Sequence, residues 1–413
     1  MKTLVEIQCL CGNAFIREFK PGDYIGKPEK CSECKKEEGR VSKIYEEDVE
    51  EVLDPEDFKK ILQIVKSEFN VEEYFFRSNG VVFTLKEDRN TENRFLNVYK
   101  KLRFLNYVPW LKGQSDRGIT LSVFPHEMKS NGKGIIWNIG LLILTFGTCT
   151  LAGYLWFSNG KIENAILFAV SLLAVIGAHE MAHAYMSWRH GVASSLPYFI
   201  PAPPFMPLGT FGAIISTRSP IPNKKALFDI GISGPLAGFL ISLLVLALGL
   251  AHSEITTKSN LENALMFELP PVEFPQLGSV SLPLALNILE KLILGKLPED
   301  AIIQAHPLFW SGLFGLLITM LNLVPAGQLD GGHIWTSILN KKEVQLFTFL
   351  FALIMLAMGW WLWVLIIIVM NHVGHPGPLD EVSDVGGFRK VASILVFIML
   401  LLSISSIPIM HAA

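Results

Sequence analysis

The sequence is poor in charge and shows no strong excess of either sign. Asp, Glu, Lys and Arg make up 18% of 413 residues and the formal net charge is -3. A polyanionic partner such as nucleic acid is therefore not expected. The opening stretch, MKTLVEIQCLCG, carries a glutamate and lacks a continuous apolar core followed by a small-residue cleavage site. It reads as neither a secretory signal nor an Arg/Ser-rich transit peptide, so the first part of the chain is expected to stay in the cytosol. Residues 45–125 contain no nucleophile–base constellation and no glycine-rich phosphate loop. That stretch is expected to regulate or recognise, not to catalyse.

Apolar residues, by contrast, are abundant, at 50% of the chain with a mean hydropathy of +0.39. The charges concentrate in residues 1–132 and the remainder is dominated by apolar runs. The expected fold is a polytopic α-helical membrane protein of six to seven transmembrane helices, preceded by a soluble α+β region that contains a four-cysteine zinc ribbon. The expected domains are a zinc ribbon over 1–40, a cytosolic α+β domain over 41–132 and a membrane domain over 133–413.

Cys9 and Cys11 are followed by Cys31 and Cys34, a C-x-C and a C-x2-C. Two close thiolate pairs suit a tetrahedral zinc, the flanking VEIQC and AFIREF read as strands, and a cytosolic location argues against disulfides. A closed four-cysteine site has no open position, so this zinc would be structural. Further on, DPEDFKKILQIVKSEF opens with an Asp cap and continues with helical spacing, VVFTLKE and ITLSVFP read as strands, and TENRFLNVYKKLRFLNYVPWL reads as a helix.

From residue 133 the chain is read against a bilayer that needs about twenty apolar residues per helix. Candidate spans lie at 135–157, 164–188, 228–251, 307–327, 345–371 and 391–410. The fifth is either one tilted helix or a hairpin of two short ones. The stretch 282–295 is too short and charged to span and is expected to be interfacial or re-entrant. Arg189, Arg218, Lys224, Lys225, Lys341, Lys342, Arg389 and Lys390 flank span ends, whereas 252–306 carries three lysines against seven acids. By the positive-inside rule the basic loops and the N-terminal region share one side if 345–371 is a hairpin, which makes seven spans. That side is expected to be the cytosol, with the chain in a prokaryotic cytoplasmic membrane.

The second span carries GAHEMAHAYM. Ionisable groups at membrane depth are costly unless paired, hydrated or metal-bound. His179 and His183 are four apart, so both imidazoles share one helix face and can take one metal ion, while Glu180 beside them can meet a water on that metal. This is the HExxH arrangement of zinc hydrolases. The fourth span ends in NLVPAGQLDGGH, whose Asp330 supplies an anionic third ligand and leaves a fourth position open, the pattern of a catalytic zinc. His333 is an alternative ligand. Gly231, Gly234 and Gly238 read as a helix-packing surface.

HEMAH together with NLVPAGQLDGG resembles the two signature motifs of the site-2 protease group of intramembrane zinc metalloproteases. The resemblance extends through GTFGAIIS, GISGPLAG, AHPL and HPGPLDEVSDVGGFRK, covers about residues 135–410, and is nearest in pattern to the plant chloroplast and cyanobacterial branch. It implies that His179, His183 and Asp330 bind zinc, that Glu180 is general base and proton shuttle, and that Asn322 positions substrate backbone or stabilises an oxyanion. It further implies a membrane-associated hairpin at Gly209, Thr210, Phe211 and Gly212 that holds unwound substrate as an added strand. The expected partners are a transmembrane protein substrate and the lipid bilayer. A non-catalytic scaffold on the same fold and a metal transporter are the rival readings; the second should line a path through several spans with polar groups. Oligomeric state is left open.

Overall fold

The computed structural model describes residues 2–9, 14–18, 27–29, 39–47, 53–77, 80–86, 90–114, 118–126, 134–203, 205–257, 283–298, 301–373 and 375–404. The chain divides into two compact units. One comprises Met1–Asp88, Asn97–Trp110 and Gln114–His126, and the other Arg89–Leu96, Leu111–Gly113 and Glu127–Ala413.

The first unit begins with β1 (Lys2–Cys9), β2 (Ala14–Glu18), β3 (Pro28–Glu29) and β4 (Gly39–Glu47), ordered β2-β1-β4-β3 in one sheet. The VEIQC and AFIREF readings correspond to β1 and β2, which pair antiparallel with Ile7 opposite Phe15. Cys11, Cys31 and Cys34 lie outside the described residues, as does the side chain of Cys9.

Helix α1 (Pro55–Glu68) starts where the Asp54 carboxylate accepts from the Glu56 backbone N–H at 3.0 Å, with Pro55 in the first turn. A second sheet follows, ordered β5-β6-β8-β7, from β5 (Val71–Arg77), β6 (Gly80–Leu85), β7 (Tyr107–Gln114) and β8 (Gly118–Pro125), with α2 (Thr91–Arg103) between β6 and β7. Alternation in GITLSVFP buries Ile119, Leu121 and Val123, and Leu121 sits opposite Phe83. The helix expected over TENRFLNVYKKLRFLNYVPWL stops at Arg103, and YVPWL enters β7 instead. Asn106 at φ 61 turns the chain, and Pro109 is tolerated because β7 is an edge strand. Tyr107 lies 3.3 Å from the Asp57 carboxylate, and burial together with that negative charge raises its phenol above the ordinary range.

In the second unit α3 (Ile135–Trp156), α4 (Ile162–Arg189) and α5 (Lys224–Ala251) are, among the described residues, the three helices long and apolar enough to cross a bilayer. Helix α3 touches its neighbours through Thr145, Cys149, Ala152 and Gly153 and turns Ile136 and Ile143 outward, as a lipid-facing helix should. Between α4 and α5, β9 (Tyr198–Pro201) and β10 (Thr210–Ile214) form an antiparallel hairpin. After α5 come β11 (Glu254–Thr257), α6 (Leu284–Ile293), β12 (Ala301–Gln304) and α7 (Pro307–Asn322), with β11 paired to β12. Helix α6 has 10 residues, about 15 Å at the α-helical rise, half of a bilayer core.

The fourth span differs from expectation. Helix α7 ends at Asn322, residues 323–329 form a loop, and Asp330 opens a separate helix α8 (Asp330–Ile338). Pro325 cannot continue the helix, and Gly327 takes φ 47 with the Met370 carbonyl 2.5 Å from where a Cβ would sit. The run 345–371 is two helices, α9 (Lys341–Ala357) and α10 (Trp361–Val373), parted at Gly359 with φ 86. Helix α11 (Gly387–Ser403) is the last described. Helices α5 and α7 pack closely enough that Gly312 leaves only 2.5 Å between a would-be Cβ and the Leu246 backbone. Beside them the Ser171 and Ser311 hydroxyls meet at 2.7 Å between α4 and α7.

Candidate metal centre

Helix α4 buries His179, Glu180 and His183, which are 4%, 9% and 5% exposed. Asp330, in the first turn of α8, comes up against the same face. Its Oδ2 lies 3.1 Å from His179 Nε2 and its Oδ1 3.2 Å from His183 Nε2, while the two Nε2 atoms are 3.1 Å apart. Among the described residues this is the one cluster of three or more His, Cys, Asp or Glu whose ligand atoms converge, all within 4.8 Å.

The outer nitrogen of His183 decides its tautomer. Nδ1 donates to the Ile230 carbonyl at 2.7 Å, so the Nε2 that faces Asp330 carries a lone pair. A lone pair, a second imidazole nitrogen and a carboxylate turned on one point are a donor set for a cation. Ligand atoms around a tetrahedral zinc stand about 3.3 Å apart, close to the spacing found. His179 Nδ1 is buried without a hydrogen-bond partner.

The floor beneath the imidazoles is the glycine face of α5. A Cβ on Gly234 would strike the His183 ring, and one on Gly238 would lie 2.9 Å from His179 Nδ1. A Cβ on Gly231 would lie 3.3 Å from Asp330 O and 3.0 Å from the His333 Cβ. The three glycines therefore do pack helices, but what they admit is the pair of histidine rings and the start of α8. Sequence spacing alone could not distinguish a seat for side chains from a seat for a helix.

Asn322, at the end of α7, puts Nδ2 3.4 Å from His179 Nε2. The loop between it and Asp330 is tied back by Thr348 of α9, whose hydroxyl donates to the Pro325 carbonyl. The backbone of Ile215, just past β10, lies beside the Glu180 carboxylate, a proximity that the sequence did not signal. In the hairpin, Thr210 Oγ1 donates to Ile200 O at 2.8 Å and accepts from Gly212 N at 3.0 Å, and Gly209 at φ 64 presses against α3 near Thr148. Phe211 is 62% exposed.

His333 stands apart from the ligand cluster because its Nδ1 is taken by His375 Nε2 at 2.6 Å. The Gly377 N–H donates to His375 Nδ1, so His375 carries its proton on Nε2 and gives it to His333. The pair joins residues 42 apart in sequence, which no local pattern announces.

Residues 167–365, which hold all four of His179, Glu180, His183 and Asp330, match the family model of peptidase family M50. The match covers just under half of the chain. Among curated relatives, "Probable zinc metalloprotease EGY1, chloroplastic" of Oryza sativa subsp. japonica is 35% identical over 253 residues, 58% of this chain and 40% of the relative. The protein of the same name in Arabidopsis thaliana is 31% identical over 58% of this chain and 43% of its own length. "Probable zinc metallopeptidase EGY3, chloroplastic" of Arabidopsis thaliana is 28% identical over 64% of this chain and 48% of its own length. The chain thus spans less than half the length of these relatives. No solved structure matches it. The relatives are the chloroplast proteins of the branch that the motifs resemble. Their location runs against the expectation of a prokaryotic cytoplasmic membrane, whereas assignment to a membrane stands with the family and the apolar helices.

Proposed function

We propose that this chain is an intramembrane zinc metalloprotease that hydrolyses peptide bonds in or near transmembrane segments of membrane-protein substrates. The observation that carries the reading is the convergence of His179, His183 and Asp330 at the end of a helix built for lipid, with Glu180 on the same turn. Those three residues would hold the metal. Zinc bound there would supply Lewis-acid polarisation of the peptide carbonyl and would acidify a water molecule.

Glu180 takes the proton of the attacking water and returns it to the leaving amine. The Ile215 backbone, just past β10, lies beside that carboxylate. Asn322 holds substrate backbone or the developing oxyanion from the His179 side. Gly209, Thr210, Phe211 and Gly212 present a strand edge to an unwound substrate, which must leave its helix before its peptide bond is reachable. His179 and Glu180 are nearly sealed, so charges there are little screened by bulk solvent.

Six to seven spans belong to the same proposal, with α9 and α10 as the hairpin that places the basic loops and N-terminal region together on one side of the membrane. So do the divisions 1–40, 41–132 and 133–413, and a second, structural zinc on Cys9, Cys11, Cys31 and Cys34. Zinc per chain in detergent should be two and fall to one when the protein starts at Arg40. For the catalytic reading, Glu180→Gln should retain the buried zinc and lose cleavage of a reconstituted single-span substrate. Cleavage at the wild-type rate by that variant would overturn the mechanism, and a wild type that binds zinc but cleaves nothing would favour the scaffold.

A further inference from the structure

Three side chains from distant stretches meet beside the metal centre. Arg389, in the first turn of α11, grips Asp229 of α5 with both arms of its guanidinium, Nε to Oδ1 and Nη2 to Oδ2, each at 2.7 Å. His190, the residue that caps α4, adds Nε2 to Asp229 Oδ2 at 2.9 Å. All three side chains are 20–24% exposed, so the pairing is shielded from most solvent screening.

The neighbour of Asp229 is Ile230, whose carbonyl holds the Nδ1 of His183. That turn of α5 is poorly secured by its own helix, because Pro235 has no N–H to give to Gly231. The Ile230 carbonyl is also shared with the Ser233 hydroxyl at 2.8 Å. A carbonyl that must orient an imidazole thus sits on a turn with a missing rung, and the adjacent residue is fastened from two sides.

We infer that Arg389, Asp229 and His190 form an outer shell that positions the Ile230 carbonyl and through it the His183 ring. They are positioning residues for the metal, and the inference rests on the zinc reading above. The node ties the helix of the two histidines to α5 and to the C-terminal helix, so α11 contributes to metal affinity without touching the metal.

The test uses the full-length protein in detergent, with zinc affinity read by chelator competition and coordination read from the visible absorption of the cobalt-loaded form. Outer-shell partners of metal-ligating histidines are worth about 10–100-fold in affinity. Arg389→Ala and Asp229→Asn should weaken zinc by that factor and alter the cobalt spectrum, and Arg389→Lys, which keeps the charge but not the fork, should fall between. A node that merely anchors α11 would lower the melting temperature and leave the spectrum alone. If Arg389→Ala does not fold, His190→Gln, which keeps two of the three bonds, decides by the same readouts. Wild-type affinity and spectrum in the folded variants overturn the inference, whereas a wild type that takes up no zinc refutes the metalloprotease reading itself.

Discussion

Gly234→Ala isolates the seat of the metal centre from everything else in the fold. A Cβ there would come within 2.6 Å of His183 Cε1, and nearer still to Nε2 and Cδ2. Ordinary contact needs 3.4 Å, so the ring must retreat by at least about 0.8 Å (3.4 less 2.6). Metal–ligand distances are tolerated within about 0.2 Å, so the displacement removes His183 as a ligand. Loss of an outer-shell contact already costs up to about a hundredfold in affinity, and loss of the ligand itself should exceed this, more than about 2.7 kcal/mol. The helix does not suffer, since Ala is favoured over Gly inside a helix by about 1 kcal/mol. Gly147→Ala is the control, because a Cβ there meets nothing within 4 Å. Zinc measured on the purified folded variants should be absent from the first and intact in the second. Zinc at wild-type affinity in folded Gly234→Ala would refute the placement of His183.

Two further outcomes follow from the packing. Gly209→Ala forces a side chain onto φ 64 and 2.5 Å from the Thr148 carbonyl, so the hairpin should shift, cleavage should fall at least about tenfold and zinc content should not change; unchanged cleavage would remove the hairpin from substrate binding. Ser171→Ala and Ser311→Ala, combined in a double-mutant cycle of unfolding, should give a coupling of about 0.6 kcal/mol, the usual value for a hydrogen bond between membrane helices, and zero coupling would mean that the hydroxyls do not bond.

The two motifs are legible because each is local. A spacing of four puts His179 and His183 on one face of any helix, and a carboxylate in a glycine-rich, proline-broken loop stands out against apolar spans. What is not legible depends on contacts across the sequence. The Ile230 carbonyl, the Ile215 backbone and the His375 ring are ordinary residues until the fold brings them to His183, Glu180 and His333. The strand at YVPWL reads as helix because its apolar residues also fit a helical spacing, and only its place at the sheet edge explains the proline. Hydropathy puts Asp330 just past the end of a span, yet Pro325 and Gly327 make it the start of another helix, which lets its carboxylate approach the histidines from that helix's first turn.

His179 and Asp330 are 151 residues apart. During synthesis α4 and α5 are therefore made, and can settle against each other, long before the carboxylate exists. A nascent chain with only its imidazoles offers a cation two neutral donors and no carboxylate. Separating the donors along the chain means that the three-residue cluster cannot assemble until Asp330 has been made.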